Sequence, residues 1–98
     1  MTEKLIRNKY VKQIPPNKLR YEKNVIKQYA FLDSKITEEL DELRESVYSD
    51  IYEWADLFES ISTMMELSEV TMAEINAARM EKNESLGGFT DFLILMDE

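Results

Sequence analysis

Histidine and cysteine are both absent from the 98 residues, and glycine and proline occur twice each. Without histidine there is no imidazole general base and no Glu-x-x-His ligand pair of the kind that builds di-iron bundles. Without cysteine there is neither a disulfide framework nor a thiolate metal site, which fits a cytoplasmic protein. So few glycines and prolines argue against a turn-rich β fold and for long helices. No apolar run reaches the length of a membrane span, and Met1-Thr2-Glu3-Lys4 does not open as a signal peptide. The expectation is one small domain over residues 1–98, with no membrane partner.

What is present is charge, unevenly placed. The net charge is −8. Residues 1–35 hold nine Lys/Arg against three Asp/Glu, and residues 36–98 hold three against seventeen. So acidic a chain is a poor partner for nucleic acid. The split sets a basic N-terminal arm, residues 1–16, beside an acidic centre. Such halves either attract each other as solvated faces or combine a phosphate-facing arm with a metal-binding middle.

The arm ends in Pro15-Pro16, which stops regular structure. Asn17 is then a cap for a helix to about Leu32, and Asp33 or Ser34 caps a second, with Ile36, Leu40, Leu43 and Val47 as its stripe. Residues 44–50, RESVYSD, favour a tight turn over one continuous helix from 36 to 67. Ser49 or Asp50 opens the next helix, which runs to about Leu67, and Asp50-x-x-Glu53 has capping-box form. Thr71-x-x-Glu74 opens the last, which ends before Gly87-Gly88. Residues 89–98 read as an extended or strand-like tail. The fold class is all-α, an antiparallel helical bundle. Trp54 and Phe58 read as core, with Trp54 on the inner side of its helix. Met64, Met65, Met72 and the apolar tail leave surface for a partner, so a homo-oligomer, dimer or tetramer, is expected.

Glu53 and Asp56 stand among Trp54, Leu57, Phe58 and Ile61, where an apolar stripe is expected. A buried carboxylate is costly unless paired or metal-bound. Folding the two helices antiparallel about the middle of 44–50 sets Glu42 level with Glu53 and Glu39 level with Asp56. Within each helix the acids are three apart and share a face. Two like unit charges about 4 Å apart repel by about 4 kcal/mol at an effective dielectric near 20. Four converging carboxylates therefore take up protons or hold a cation, and an all-oxygen set selects Mg²⁺, or Mn²⁺, over Zn²⁺.

KITEELDEL at 35–43, followed by EWADLFESI at 53–61, resembles the paired Glu-Glu-x-x-Glu and Glu-x-x-Asp signature of the MazG-like nucleoside triphosphate pyrophosphohydrolases. KLIRNK at 4–9 is similar to the Lys-Leu-Val-Arg-Asp-Lys opening of one subgroup, and EKNESLGGF at 81–89 to its basic stretch ending in Gly-Gly-Phe. The likeness touches most of the chain. Three departures stand out: the ten-residue spacer between Glu42 and Glu53 is short for the family, Asn8 replaces an Asp, and Leu86 replaces the Arg before Gly-Gly-Phe. Lys82 remains, with Arg79 one turn earlier as a substitute.

The resemblance implies an all-α dimer or dimer of dimers that cleaves a nucleotide between its α- and β-phosphates with Mg²⁺. Carried onto this chain, Glu39, Glu42, Glu53 and Asp56 hold the metal. Glu38, beside that face, orients or deprotonates the attacking water, since without histidine a carboxylate or a metal hydroxide must do this work. Lys82 and Arg79, with Lys4, Arg7 and Lys9 of the arm, are the candidates for the phosphates. The competing expectation is a non-catalytic helical interaction module, in which basic arm and acidic helices pair between subunits.

Overall fold

Asn24 caps the first long helix. Its side chain accepts the Lys27 amide at 3.1 Å, and α1 then runs over Val25–Glu45. This is a computed structural model, and it describes residues 3–96; Met1, Thr2, Asp97 and Glu98, the outermost residues of the expected arm and tail, lie outside the described residues. Asn17, expected as the cap, instead lies in a short 3-10 turn, Pro16–Lys18, which follows another over Asn8–Gln13. The start is delayed because Glu22 competes for the backbone. Its carboxylate accepts the Asn24 amide at 3.2 Å, and its carbonyl accepts the Gln28 side-chain amide at 2.8 Å. The expected break at Asp33–Ser34 does not form either. Thr37 donates its hydroxyl to the Asp33 carbonyl at 3.0 Å inside an unbroken helix. Cap-type residues without Gly or Pro do not by themselves stop propagation.

A turn at 46–49 then reverses the chain. Val47 N–H donates to the Arg44 carbonyl at 2.9 Å and Tyr48 N–H to the Leu43 carbonyl at 2.9 Å. These are the two bonds of a Schellman motif, made with left-handed Val47 (φ 54°) and Tyr48 (φ 61°) where glycine is usual. Val47 thus belongs to the turn and not to the helix stripe. Asp50 opens α2, Ile51–Leu67, by accepting the Tyr52 amide at 2.9 Å. Because Asp50 bonds Tyr52, the expected capping box with Glu53 does not form, and Glu53 is free to face α1. A second Schellman motif ends α2, with Glu69 (φ 58°) left-handed and Val70 N–H donating to the Met65 carbonyl at 3.0 Å. Thr71 and Glu74 form the capping box of α3, Met72–Leu86, and Gly87 (φ 78°) ends it.

α1 and α2 pack closely and antiparallel. Leu32 and Leu43 of α1 and Leu57 of α2 are the buried apolar side chains, joined by Ser60 and by the carboxylate-bearing Glu39. At the open end of the hairpin the Tyr29 hydroxyl and Ser68 Oγ are 2.9 Å apart. Trp54 is not part of this core. It is 37% exposed, its indole N–H donates to the Tyr48 carbonyl at 3.0 Å, and its ring centroid lies 6.5 Å from that of Phe58. The face of α2 turned to α1 holds Glu53, Leu57, Ser60 and Met64, and Trp54 lies about 100° round the helix from Glu53. α3 buries no residue, and α1 on α2 is the extensive helix packing among the described residues. The tail pairs as no strand among the described residues; instead Phe92 (φ 51°) closes a turn, its N–H donating to the Phe89 carbonyl at 3.0 Å. The chain is all-α, with an antiparallel helical hairpin at its centre. No helix among the described residues is long and apolar enough to cross a membrane.

Candidate metal centre

The inner stripe of α1 reads Leu32, Glu39, Leu43, so one carboxylate is placed between two core leucines. Glu39 is only 4% exposed. Across from it, Glu53 and Asp56 project from the first turns of α2, half-buried. One carboxylate oxygen from each of Glu39, Glu53 and Asp56 lies within 4.8 Å of the others. The turn makes this meeting: it sets two rows of acids at one level on facing helices.

The protonation of the cluster shows its crowding. Burial is the main force raising the Glu39 pKa above the ordinary carboxylate value; the Lys35 ammonium opposes it, and Glu42 and Asp56 add to it. Glu53 is pushed up to about 7, first by a hydrogen bond with the Glu42 carboxyl, then by desolvation and by the charges of Glu42, Asp50 and Asp56. Two ionised carboxylates are both acceptors, so that bond exists only when one of the pair holds a proton. With both ionised, Oε2 of Glu53 has no partner, and neither has the buried Oε2 of Glu39.

Cations already surround the acids. Arg7 donates to Asp56 Oδ1 at 2.6 Å, a bond that raises the guanidinium's own pKa. Lys35 Nζ lies 3.4 Å from Glu39 and 3.6 Å from Glu38, and Lys4 Nζ lies 3.9 Å from Glu38. Arg20 clasps Glu3 through two bonds, 2.6 and 3.0 Å, and Glu22 at 2.8 Å, which ties the start of the arm to the root of α1. That clasp holds the Glu3 and Glu22 carboxyls below their usual range.

The sequence-predicted residues therefore divide. Glu39, Glu53 and Asp56 come together, and Glu42 joins through Glu53. Glu38 lies beside them but is engaged by two ammonium groups. Arg7 and Lys4 reach the acidic centre, Arg7 through a carboxylate of the centre itself; Lys9 makes no ion pair among the described residues. Arg79 and Lys82 are not brought there within one chain, because α3 makes no extensive packing on α1 or α2 among the described residues; Arg79 bonds Asn76 at 3.3 Å. Lys35, absent from the candidates above, has a local signal in the sequence. It precedes Glu38 by three residues and Glu39 by four, the spacings that pair side chains on a helix.

The donor set fits a hard cation. Three carboxylate oxygens converge, Oε2 of Glu39 and Oε2 of Glu53 have no hydrogen-bond partner, and no nitrogen or sulfur ligand competes. Oxygens sharing one Mg²⁺ lie at most about 4.2 Å apart, so small rotations of these side chains close the set. No protein-family model, curated protein or solved structure compared with the chain matches it. The likeness to the MazG-like enzymes rests on the motif residues alone.

Proposed function

We propose that the chain is a MazG-like, Mg²⁺-dependent nucleoside triphosphate pyrophosphohydrolase that converts a (d)NTP to the (d)NMP and pyrophosphate, in house-cleaning or control of the nucleotide pool. Such work belongs in the cytoplasm. The observation that carries the reading is the convergence of Glu39, Glu53 and Asp56 with orphaned Oε2 atoms on Glu39 and Glu53. Glu39, Glu53 and Asp56, with Glu42 behind Glu53, would hold Mg²⁺, Mn²⁺ being the alternative. A bound Mg²⁺ supplies neutralisation of the phosphate charge and polarisation of the attacking water.

The residues have the following work. Glu53 would take part as a ligand in its ionised form, with Glu42 beside it. Arg7, freed from Asp56, would offer its planar guanidinium to a phosphate oxygen, a stronger geometry than the arm's ammonium groups have. Lys4 and Lys9 add positive charge from the same arm. Glu38, held by Lys4 and Lys35, is in position to orient a water once Lys4 turns to the phosphates. Arg79 and Lys82 serve as phosphate contacts only if α3 meets the centre of another copy, and the proposed assembly is accordingly a homodimer or homotetramer.

The test is pyrophosphate release from a panel of canonical and damaged (d)NTPs, with Mg²⁺ and with EDTA. Metal-dependent release that is lost in Glu53→Gln and kept in Glu45→Gln supports the enzyme. Release that survives Glu53→Gln defeats it. The second reading, a non-catalytic interaction module, has the Arg7–Asp56 and Lys35–Glu39 ion pairs in its favour, since they already match acids with bases. It is separated by a thermal melt: stabilisation that requires Mg²⁺ and a triphosphate together belongs to the enzyme, and none at all belongs to the module.

A further inference from the structure

α2 carries apolar side chains on two sides. Leu57 and Ser60 face α1, whereas Ile51, Trp54, Phe58 and Ile61 stay 71%, 37%, 55% and 37% exposed. These four follow the i, i+3, i+7, i+10 spacing of a coiled-coil seam, and Ile51, Trp54, Ala55 and Phe58 line an open apolar groove. A helix with one apolar face lies on a protein surface; one with two lies between layers. From Ile51 to Met65 the only charge off the α1 side is Glu59, in a chain with 33% charged residues. Depleted charge beside Trp, Tyr, Phe and Met marks the core of a protein interface.

We infer that this face of α2 packs against the same face of a second copy of the chain, antiparallel, about a two-fold axis that crosses α2 at the level of Asp56. Two observations select a second copy. The seam Ile-x-x-Trp-x-x-x-Phe-x-x-Ile has nearly the same form in both directions. An antiparallel copy therefore sets Ile51 against the partner's Ile61 and Trp54 against the partner's Phe58, the self-complementarity that a two-fold interface requires. The second observation is the surface left to cover. The chain exposes 9281 Å² at a radius of gyration of 17.5 Å. A folded monomer of 11.6 kDa exposes about 5,800 Å², and one of this length has a radius near about 13 Å. The excess of about 3,500 Å² is shared by this face with the exposed arm, α3 and tail, and it is larger than one chain's share of an obligate homodimer interface, about 1,000–2,500 Å². The inference names the surface for the self-association proposed above and is independent of the metal chemistry proposed with it.

The full chain is tested by light scattering at micromolar concentration, by the emission of its single Trp, and by oxidation of single-cysteine variants. A dimer is expected, with Trp54 emission moving to the blue as concentration rises. Ala55→Cys, near the two-fold axis, forms a covalent dimer on oxidation, and Met80→Cys on α3 does not. Phe58→Lys weakens association by roughly a hundredfold or more, as for a buried aromatic anchor, with its helix content by circular dichroism unchanged. If that variant loses its helices, the Ala55→Cys cross-link decides alone. A monomeric wild-type chain overturns the inference and the self-association behind it. A dimer that keeps its strength in Phe58→Lys and does not cross-link through Ala55→Cys overturns the surface alone. If deletion of residues 89–98 then dissolves that dimer, the interface belongs to the tail. Pyrophosphate release is read separately, so failure here and failure of the enzyme reading remain distinguishable.

Discussion

α2 and α3 are nearly the same length, 17 and 15 residues, and α3 has the better N-terminus, a complete capping box against a single Asp50 bond. Yet α2 buries Leu57 and Ser60, and α3 buries nothing. Caps decide where a helix begins; an apolar stripe decides whether it packs. In α3 the apolar residues Met72, Ala73, Ile75, Ala77, Ala78 and Met80 are spread around the axis, so no face is left for a neighbour. The hairpin of α1 and α2 holds both the core and the acidic centre, and residues 72–96 hold exposed surface.

The largest expected effect breaks the comparison on function. Glu53→Gln or Asp56→Asn lowers pyrophosphate release by about a hundredfold or more, measured with saturating Mg²⁺, while Glu45→Gln leaves it unchanged. Without metal, Glu53→Gln melts at or above the wild-type temperature, because one crowded charge is gone. A lower metal-free melting temperature means that Glu53 is held by structural pairing instead.

Stability is divided in the same way. Leu43→Ala, at a side chain only 1% exposed, costs about 2–5 kcal/mol in denaturant unfolding. Met80→Ala on α3, at a side chain 72% exposed, stays within about 0.5 kcal/mol. Equal losses at the two positions erase the distinction between the regions.

A smaller effect follows from protonation. Glu53 rises from 4.5 to about 7 on folding, and Glu39 moves in the same direction. A raised carboxyl binds its proton more tightly in the folded state, so its stabilising contribution is complete below about 4.5 and is lost as pH rises through about 7. The metal-free protein therefore melts higher at mildly acidic than at mildly alkaline pH. Glu53→Gln flattens that slope, and differential scanning calorimetry across the range measures it. Glu3 and Glu22, with lowered pKa values, act with opposite sign at more acidic pH.

The smallest effects are at the helix ends. Val47→Gly stabilises the hairpin by about 1 kcal/mol, since a β-branched residue at φ 54° is strained and its side chain is mostly exposed. Thr71→Ala costs about 1 kcal/mol of α3 alone, read as faster amide exchange there with the hairpin unchanged.

Much of this was legible in the residues. Asp50, Thr71 with Glu74, and Gly87 fixed helix ends because each meets a backbone group locally. The spacing of Glu39, Glu42, Glu53 and Asp56 set their level across the hairpin because a short turn leaves little freedom in register. What was not legible depended on competition at a distance. Asn17 and Asn24 are equal caps by type, and the side chain of Glu22 selects between them. The sequence pattern places Trp54 in the core because α2 is apolar on two sides, and one chain covers only the side turned to α1. Left-handed Val47 and Glu69 carry no composition signal at all, since neither is glycine.

The turn at 46–49 also limits how this sequence can vary through descent. An inserted residue must be absorbed inside that turn, because one passed on as helix rotates α2 by about 100° and advances it by about 1.5 Å, which carries Glu53 and Asp56 off the face that meets Glu39. Substitutions in the turn change only its strain. Descendants of this chain are therefore freer to alter the letters at 47–49 than to alter the number of residues between Glu42 and Glu53.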